Sequence, residues 1–144
     1  MNYRKWLTED LQNLERLRFA ILQQTEELAT IEAEMTAIKA TDYDKIPGGG
    51  NAQQDRYLTA VAKKDELQAN LELTKRKVAD LDRLLAELPD DERLIVDRMF
   101  VHREKYAADN LSAELGYETA HIYRLKNQAL AHLATLRHGA GFQT

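Results

Sequence analysis

Cysteine is absent from this chain of 144 residues. That excludes disulfide stapling, thiolate chemistry and any zinc finger built on Cys ligands. Proline occurs only at Pro47 and Pro89, and glycine clusters at Gly48–Gly50 with isolated copies near the C-terminus, so helix breakers are confined to a few points. No apolar run approaches the ~20 residues needed to span a bilayer. The N-terminal MNYRKWLTEDL turns acidic after two basic residues and lacks the apolar stretch of a signal peptide. A strong charge of one sign is also missing: the net charge of −4 argues against non-specific coating of nucleic acid. The four histidines, His102, His121, His132 and His138, have neither Cys partners nor HExxH spacing, so no metal site is expected. Paired acids such as Glu26-Glu27 and Asp65-Glu66 fall on solvated helix faces rather than in a cleft. The expectation is therefore a non-enzyme without cofactor.

What is present is helical patterning. Leu14, Leu17, Ile21, Leu28, Ile31, Met35 and Ile38 recur at alternating spacings of three and four, with Gln24 filling the gap, as in the seam of a coiled coil. This predicts a helix from about residue 7 to about residue 40, with Thr8 as a cap and Trp6 and Leu7 packed on its end. Leu67, Leu71, Thr74, Val78, Leu81, Leu85 and Leu88 repeat the stripe in a second segment. Between them, TDYDKIPGGGNAQQD (residues 41–55) reads as the tip of an antiparallel hairpin, with Tyr43 and Ile46 packing beside it. Its GGG run lacks the GK[ST] ending of a phosphate-binding loop. At 1.5 Å per residue such a hairpin is about 50 Å long, and its arms are expected to join copies into a homodimer or higher homo-oligomer.

At Leu88-Pro89 the texture changes. Pro89-Asp90-Asp91-Glu92 is a helix start, with acids where backbone N–H groups lie free. The helix it opens turns Leu94, Ile95, Met99 and Phe100 or Val101 inward and ends near His102-Arg103-Glu104-Lys105. A short helix with Ala107 or Ala108, Leu111 and Leu115 on one face then stops at Gly116. The last helix opens at Glu118 and Thr119, with Thr119 as the chemically plausible N-cap, and directs Ile122, Leu125, Ala129, Leu130, Leu133 and Leu136 inward. Ala108, Ala113, Ala120 and Ala129 are small enough for short helices to cross closely. Two helices around a glycine turn, backed by an earlier helix, make a helix-turn-helix. Residues 119–144 hold Arg124, Lys126 and Arg137 and no Asp or Glu. On the outer side of the last helix, Thr119, His121, Tyr123, Arg124, Asn127 and Gln128 combine a cation, amides and hydroxyls suited to base edges and flanking phosphates. Lys126 suits a phosphate. His132 and His138 read as surface or helix-end residues.

The stretch LPDDERLIVDRMFVHREKYAADNLSAELGYETAHIYRLKNQALAHLATL (residues 88–136) resembles region 4 of bacterial sigma-70-type factors. It is more similar still to the small phage and prophage transcriptional regulators of the ArpU/RinA-like group (DUF1492). LPDDER, LSAELGY and HIYRLKNQAL carry the likeness, and DYDKIPGGG and the N-terminal arm extend it to nearly the whole chain. The resemblance implies that Leu111, Leu115, Gly116 and Ile122 hold the motif, while Thr119, Ala120, His121, Tyr123 and Arg124 face the DNA groove. Glu118 stands where such motifs place a Ser or Thr cap, and Ala120 and His121 replace positions richer in cations. Both departures fit weak autonomous binding helped by RNA polymerase.

The expected architecture is all-α: a coiled-coil hairpin over 1–88, a helix-turn-helix head over 89–138 and a tail over 139–144. Thr119, Ala120, His121, Tyr123, Arg124, Lys126 and Asn127 are the expected DNA-binding residues. The expected partners are double-stranded DNA, host RNA polymerase and further copies of the chain, in the cytoplasm of a bacterial host and away from membranes. Two rival readings are a phage small terminase subunit that binds packaging-site DNA, and a helical adaptor that binds no DNA.

Overall fold

The computed structural model describes residues 2–42 and 50–139. Among these residues the fold is all-α: α1 (Tyr3–Asp42), α2 (Gly50–Ala86), α3 (Asp90–Val96), α4 (Ala107–Leu115) and α5 (Thr119–His138), with a π-helical turn at Asp97–Val101. None of these helices is long and apolar enough to cross a membrane. The chain divides into two compact units, Arg18–Lys77 and Met1–Leu17 with Val78–Thr144. The division passes through α1 and α2, whereas the change in sequence texture lies at Leu88-Pro89.

The unit Arg18–Lys77 is an antiparallel pair of helices. Gln53 Nε2 donates to the Ile38 carbonyl at 3.1 Å, Lys64 Nζ lies 3.6 Å from Glu32, and Lys39 Nζ sits 5.4 Å from the centre of the Tyr57 ring. Glu32 meets Lys64 while Ile38, later in α1, meets Gln53, earlier in α2, which fixes the antiparallel sense. Ile31, Ile38 and Leu71 are buried and Gln24, Leu28, Leu67 and Thr74 half-buried, so the predicted stripes are the contact faces. On α2 the same spacing runs back through Lys64, Ala60, Tyr57 and Gln53, where polar side chains hide it in the sequence. Residues 50–55, expected in the loop, are therefore helical. Tyr43, Ile46 and Pro47 lie outside the described residues. Thr25, Thr30, Thr36, Thr59 and Thr74 each donate to the carbonyl four residues back, which satisfies hydroxyls that would otherwise compete with the helix.

The second unit starts earlier than expected. Asn2 Oδ1 accepts the Lys5 N–H at 3.0 Å, and the Asn2 carbonyl accepts the Trp6 N–H at 3.2 Å. Asn2 thus caps α1, and Thr8 lies inside the helix rather than at its start. Leu7, Leu11 and Leu14 are fully buried, whereas Trp6 is 47% exposed, so Leu7 alone of the expected pair is an anchor. This end of α1 meets the C-terminal part of α5: Arg137 Nη1 lies 2.7 Å from Asp10 Oδ2, and Tyr3 stacks on His138 with centroids 4.3 Å apart.

Pro89 precedes α3 and its carbonyl accepts the Arg93 N–H at 2.9 Å. The helix expected to run on to His102 instead widens at Asp97–Val101, where the His102 N–H reaches back five residues to the Asp97 carbonyl at 2.7 Å. Val96 is buried beside Ile95 at the end of α3, and Val101 is buried at the end of the π-helical turn. Ile95, Ala108, Leu111 and Ile122 form the core shared by α3, α4 and α5, with Leu94, Met99, Leu115, Tyr117 and Leu125 packed around it. Ala107 and Ala108 are both buried, and Ala129, Leu133 and Ala134 are fully so. Leu136, expected inward, is 50% exposed. Of the four small residues expected at crossings, Ala113 and Ala120 are exposed.

Candidate nucleic-acid interface

The turn that sets α5 begins at Gly116. Its φ of 73° lies in the left-handed region, and its N–H donates to the Ser112 carbonyl at 3.0 Å, closing α4. Ser112 Oγ donates to the Tyr117 carbonyl, and Tyr117 Oη donates to Asp91 Oδ2 at 2.7 Å. The turn is thus tied to the first turn of α3. This hydrogen bond to a carboxylate, with the negative charge beside it, raises the Tyr117 phenol above its ordinary pKa. Arg98 ties the π-helical turn to α4, with Nη1 2.8 Å from Glu114 and 3.8 Å from Glu104. The hydrogen bond to Glu114 holds its guanidinium still more firmly protonated than usual.

The N-cap of α5 is Glu118 rather than Thr119. Its carbonyl accepts the N–H groups of His121 at 2.9 Å and Ile122 at 3.1 Å, and its side chain makes no capping hydrogen bond. Backbone φ/ψ of −65°/150° place Glu118 just outside the helix, which makes Thr119 the first helical residue. An uncapped carboxylate therefore stands at the mouth of the helix expected to approach phosphates.

Of the expected contact residues, Thr119, Ala120, Tyr123, Arg124 and Asn127 are exposed and share one face, at helical offsets of one, four, five and eight from Thr119. Arg124 and Asn127 have no side-chain hydrogen bond or ion pair among the described residues. His121 lies elsewhere: it is half-buried and stands edge-on to Tyr117, centroids 4.8 Å apart. Lys126 is half-buried, with Nζ 5.3 Å from the centre of the Tyr123 ring. Arg137, counted among the cations of the last helix, is spent on Asp10.

Three features escaped the sequence reading. Glu92 is 3% exposed and meets His132 Nδ1 at 2.8 Å, which binds α3 to the middle of α5. His102 bridges Asp97 at 2.7 Å and Glu15 at 3.2 Å. Arg103 and Tyr106, in the segment before α4, share a cleft with Tyr123 of α5. Only the clustering of cations in HREKY hinted at the last of these. No group of three or more potential metal ligands occurs among the described residues.

The fold and this face define an all-α protein whose last two helices form a helix-turn-helix arrangement, with an exposed face on α5 that carries no Asp or Glu. The profile of the family described as "Protein of unknown function (DUF1492)" matches residues 34–134, and the chain belongs to that family. No curated protein and no solved structure matches it.

Proposed function

We propose that this protein is a phage-type DNA-binding transcriptional regulator that acts at promoters together with host RNA polymerase. The observation that carries the reading is the exposed face of α5, where Arg124 and Asn127 stand unpartnered among side chains without an acid, on a helix entered through a glycine turn. Arg suits the acceptor pair of guanine and Asn the donor–acceptor pair of adenine. Few cations accompany this face among the described residues: Arg124 and Lys126 on α5, with Arg103 and Lys105 before α4. Phosphate contacts per subunit are accordingly few, so polymerase or a second copy supplies the remaining affinity. The arms of the hairpin are the proposed means of joining copies, and the seven residues Thr119, Ala120, His121, Tyr123, Arg124, Lys126 and Asn127 are the proposed reading set, with His121 supporting the turn through Tyr117. Selection of bound sequences from a random duplex pool tests the reading. A defined motif, enriched further when RNA polymerase is added, is expected; a pool that stays random with and without polymerase overturns it.

A further inference from the structure

Tyr106 is the one non-glycine residue with positive φ among the described residues, at 60°. A bulky side chain in the left-handed region is strained, on the order of 1 kcal/mol or more. The backbone job done there is to accept the Asn110 N–H at 3.0 Å and so begin α4, which Gly or Asn would do without that strain. Packing does not account for the ring either, since Tyr106 is 68% exposed. An exposed aromatic held in a strained conformation points to a use for the ring itself.

Its surroundings indicate which use. Tyr106, Tyr123, Arg103 and Met99 line one cleft of about 300 Å³, with Ala107 and Ala108 among its other walls. That volume lies at the lower end of the ~300–1,000 Å³ typical of ligand clefts. Each tyrosine has a lysine at its face: Lys105 Nζ is 5.3 Å from the Tyr106 centroid and Lys126 Nζ 5.3 Å from that of Tyr123. Two acids also line the cleft, Glu104 and Asp109. Glu104 faces Arg98 at 3.8 Å, and Asp109 sits in the first turn of α4, where backbone N–H groups favour a negative charge. Against these stand Arg103 in the lining and Lys105 and Lys126 at the two rings, so with Glu104 facing Arg98 the cations outnumber the free acid and suit a nucleic-acid strand rather than a basic peptide.

We propose that Tyr106 and Tyr123 form a stacking cleft for one unpaired DNA base beside the duplex contacted by α5. Within a duplex both faces of a base are covered by its neighbours, so a ring gains a π face only from a base that has left the stack. Arg103 and the two lysines then meet the phosphates on either side of that base. Tyr123 belongs to both surfaces, which makes the cleft continuous with the Arg124 and Asn127 face.

The inference rests on the duplex-binding reading above, and the test separates the two. Fluorescence anisotropy compares a short, fully paired duplex recovered by the selection above with the same duplex carrying one unpaired 2-aminopurine, using the full chain and its Tyr106→Asn and Tyr106→Trp variants. Asn fits the left-handed backbone and removes the ring. Expected is about tenfold tighter binding of the bulged probe by the wild type and by Tyr106→Trp. Tyr106→Asn should lose that preference while keeping its affinity for the paired duplex, with a melting temperature equal to or above that of the wild type because the strain is relieved, and 2-aminopurine fluorescence should fall only with the ring-bearing proteins. Equal binding of both probes by the wild type, or a preference that survives in Tyr106→Asn, overturns the cleft and leaves duplex binding standing. Binding of neither probe overturns both.

Discussion

Glu92 and His132 are forty residues apart in sequence and 2.8 Å apart in the fold. The carboxylate is buried, and His132 is its one side-chain partner among the described residues. Taking the imidazole away leaves a charged acceptor in the interior without that partner. His132→Ala should therefore lower unfolding stability by about 1–3 kcal/mol in urea titration, and an unchanged midpoint would show that the pair contributes nothing. Neither role was legible in the sequence. Glu92 read as one of three acids at a helix start, and His132 as a surface residue, because only tertiary folding brings the two together. Tyr106 is a similar case, since its left-handed backbone has no signature in residue type. Arg124 and Asn127, by contrast, were legible, because their exposure follows from the rotation of a helix whose inward positions are plainly apolar.

At the scale of elements, the periodic stripes came through and the ends did not. Leu14 through Ile38 and Leu67 through Leu88 bury as their spacing requires, because a helical period repeated over many turns leaves one face for the partner. Ends depend on single hydrogen bonds. Asn2 outcompetes Thr8 for the start of α1, and Glu118 takes the cap position of α5 although its side chain caps nothing. The π-helical turn after α3 shows why the apolar pattern there was ambiguous: one extra residue shifts the inward set from Phe100 to Val101. The uncapped Glu118 yields a prediction. Glu118→Ser supplies a hydroxyl for the free N–H groups of α5 and removes a negative charge beside the proposed phosphate path. It should raise stability by about 1 kcal/mol and tighten duplex binding together. Thermal melting and anisotropy check the two effects, and weaker binding by the variant would contradict the proposed approach of α5 to DNA.

At the scale of the whole molecule, the sequence suggested a boundary at Leu88-Pro89, while the compact units divide α1 and α2 internally. Residues 2–17 fold with the helices that carry the proposed DNA face. The sequence could not show this, because the stripe on α1 continues from Leu7 to Ile38, and periodicity does not say which neighbour covers which stretch. Leu7, Leu11 and Leu14 are fully buried, and Asp10 and Tyr3 hold the end of α5 through Arg137 and His138. Leu11→Ala should accordingly cost about 2–5 kcal/mol and lower hydrogen-exchange protection in α5, more than a hundred residues away in the chain. Protection lost from α1 alone, with α5 unaffected, would show that the N-terminal turns are an appendage to that unit.

The central claim is that α5 reads duplex DNA through its exposed, acid-free face. The most direct measurement is equilibrium binding of wild type and Arg124→Ala to a duplex recovered by selection, with circular dichroism recorded on both proteins. The account predicts unchanged helicity and a loss of about 1–3 kcal/mol in binding, the worth of one bidentate contact to a base. Equal binding by the two proteins would contradict it.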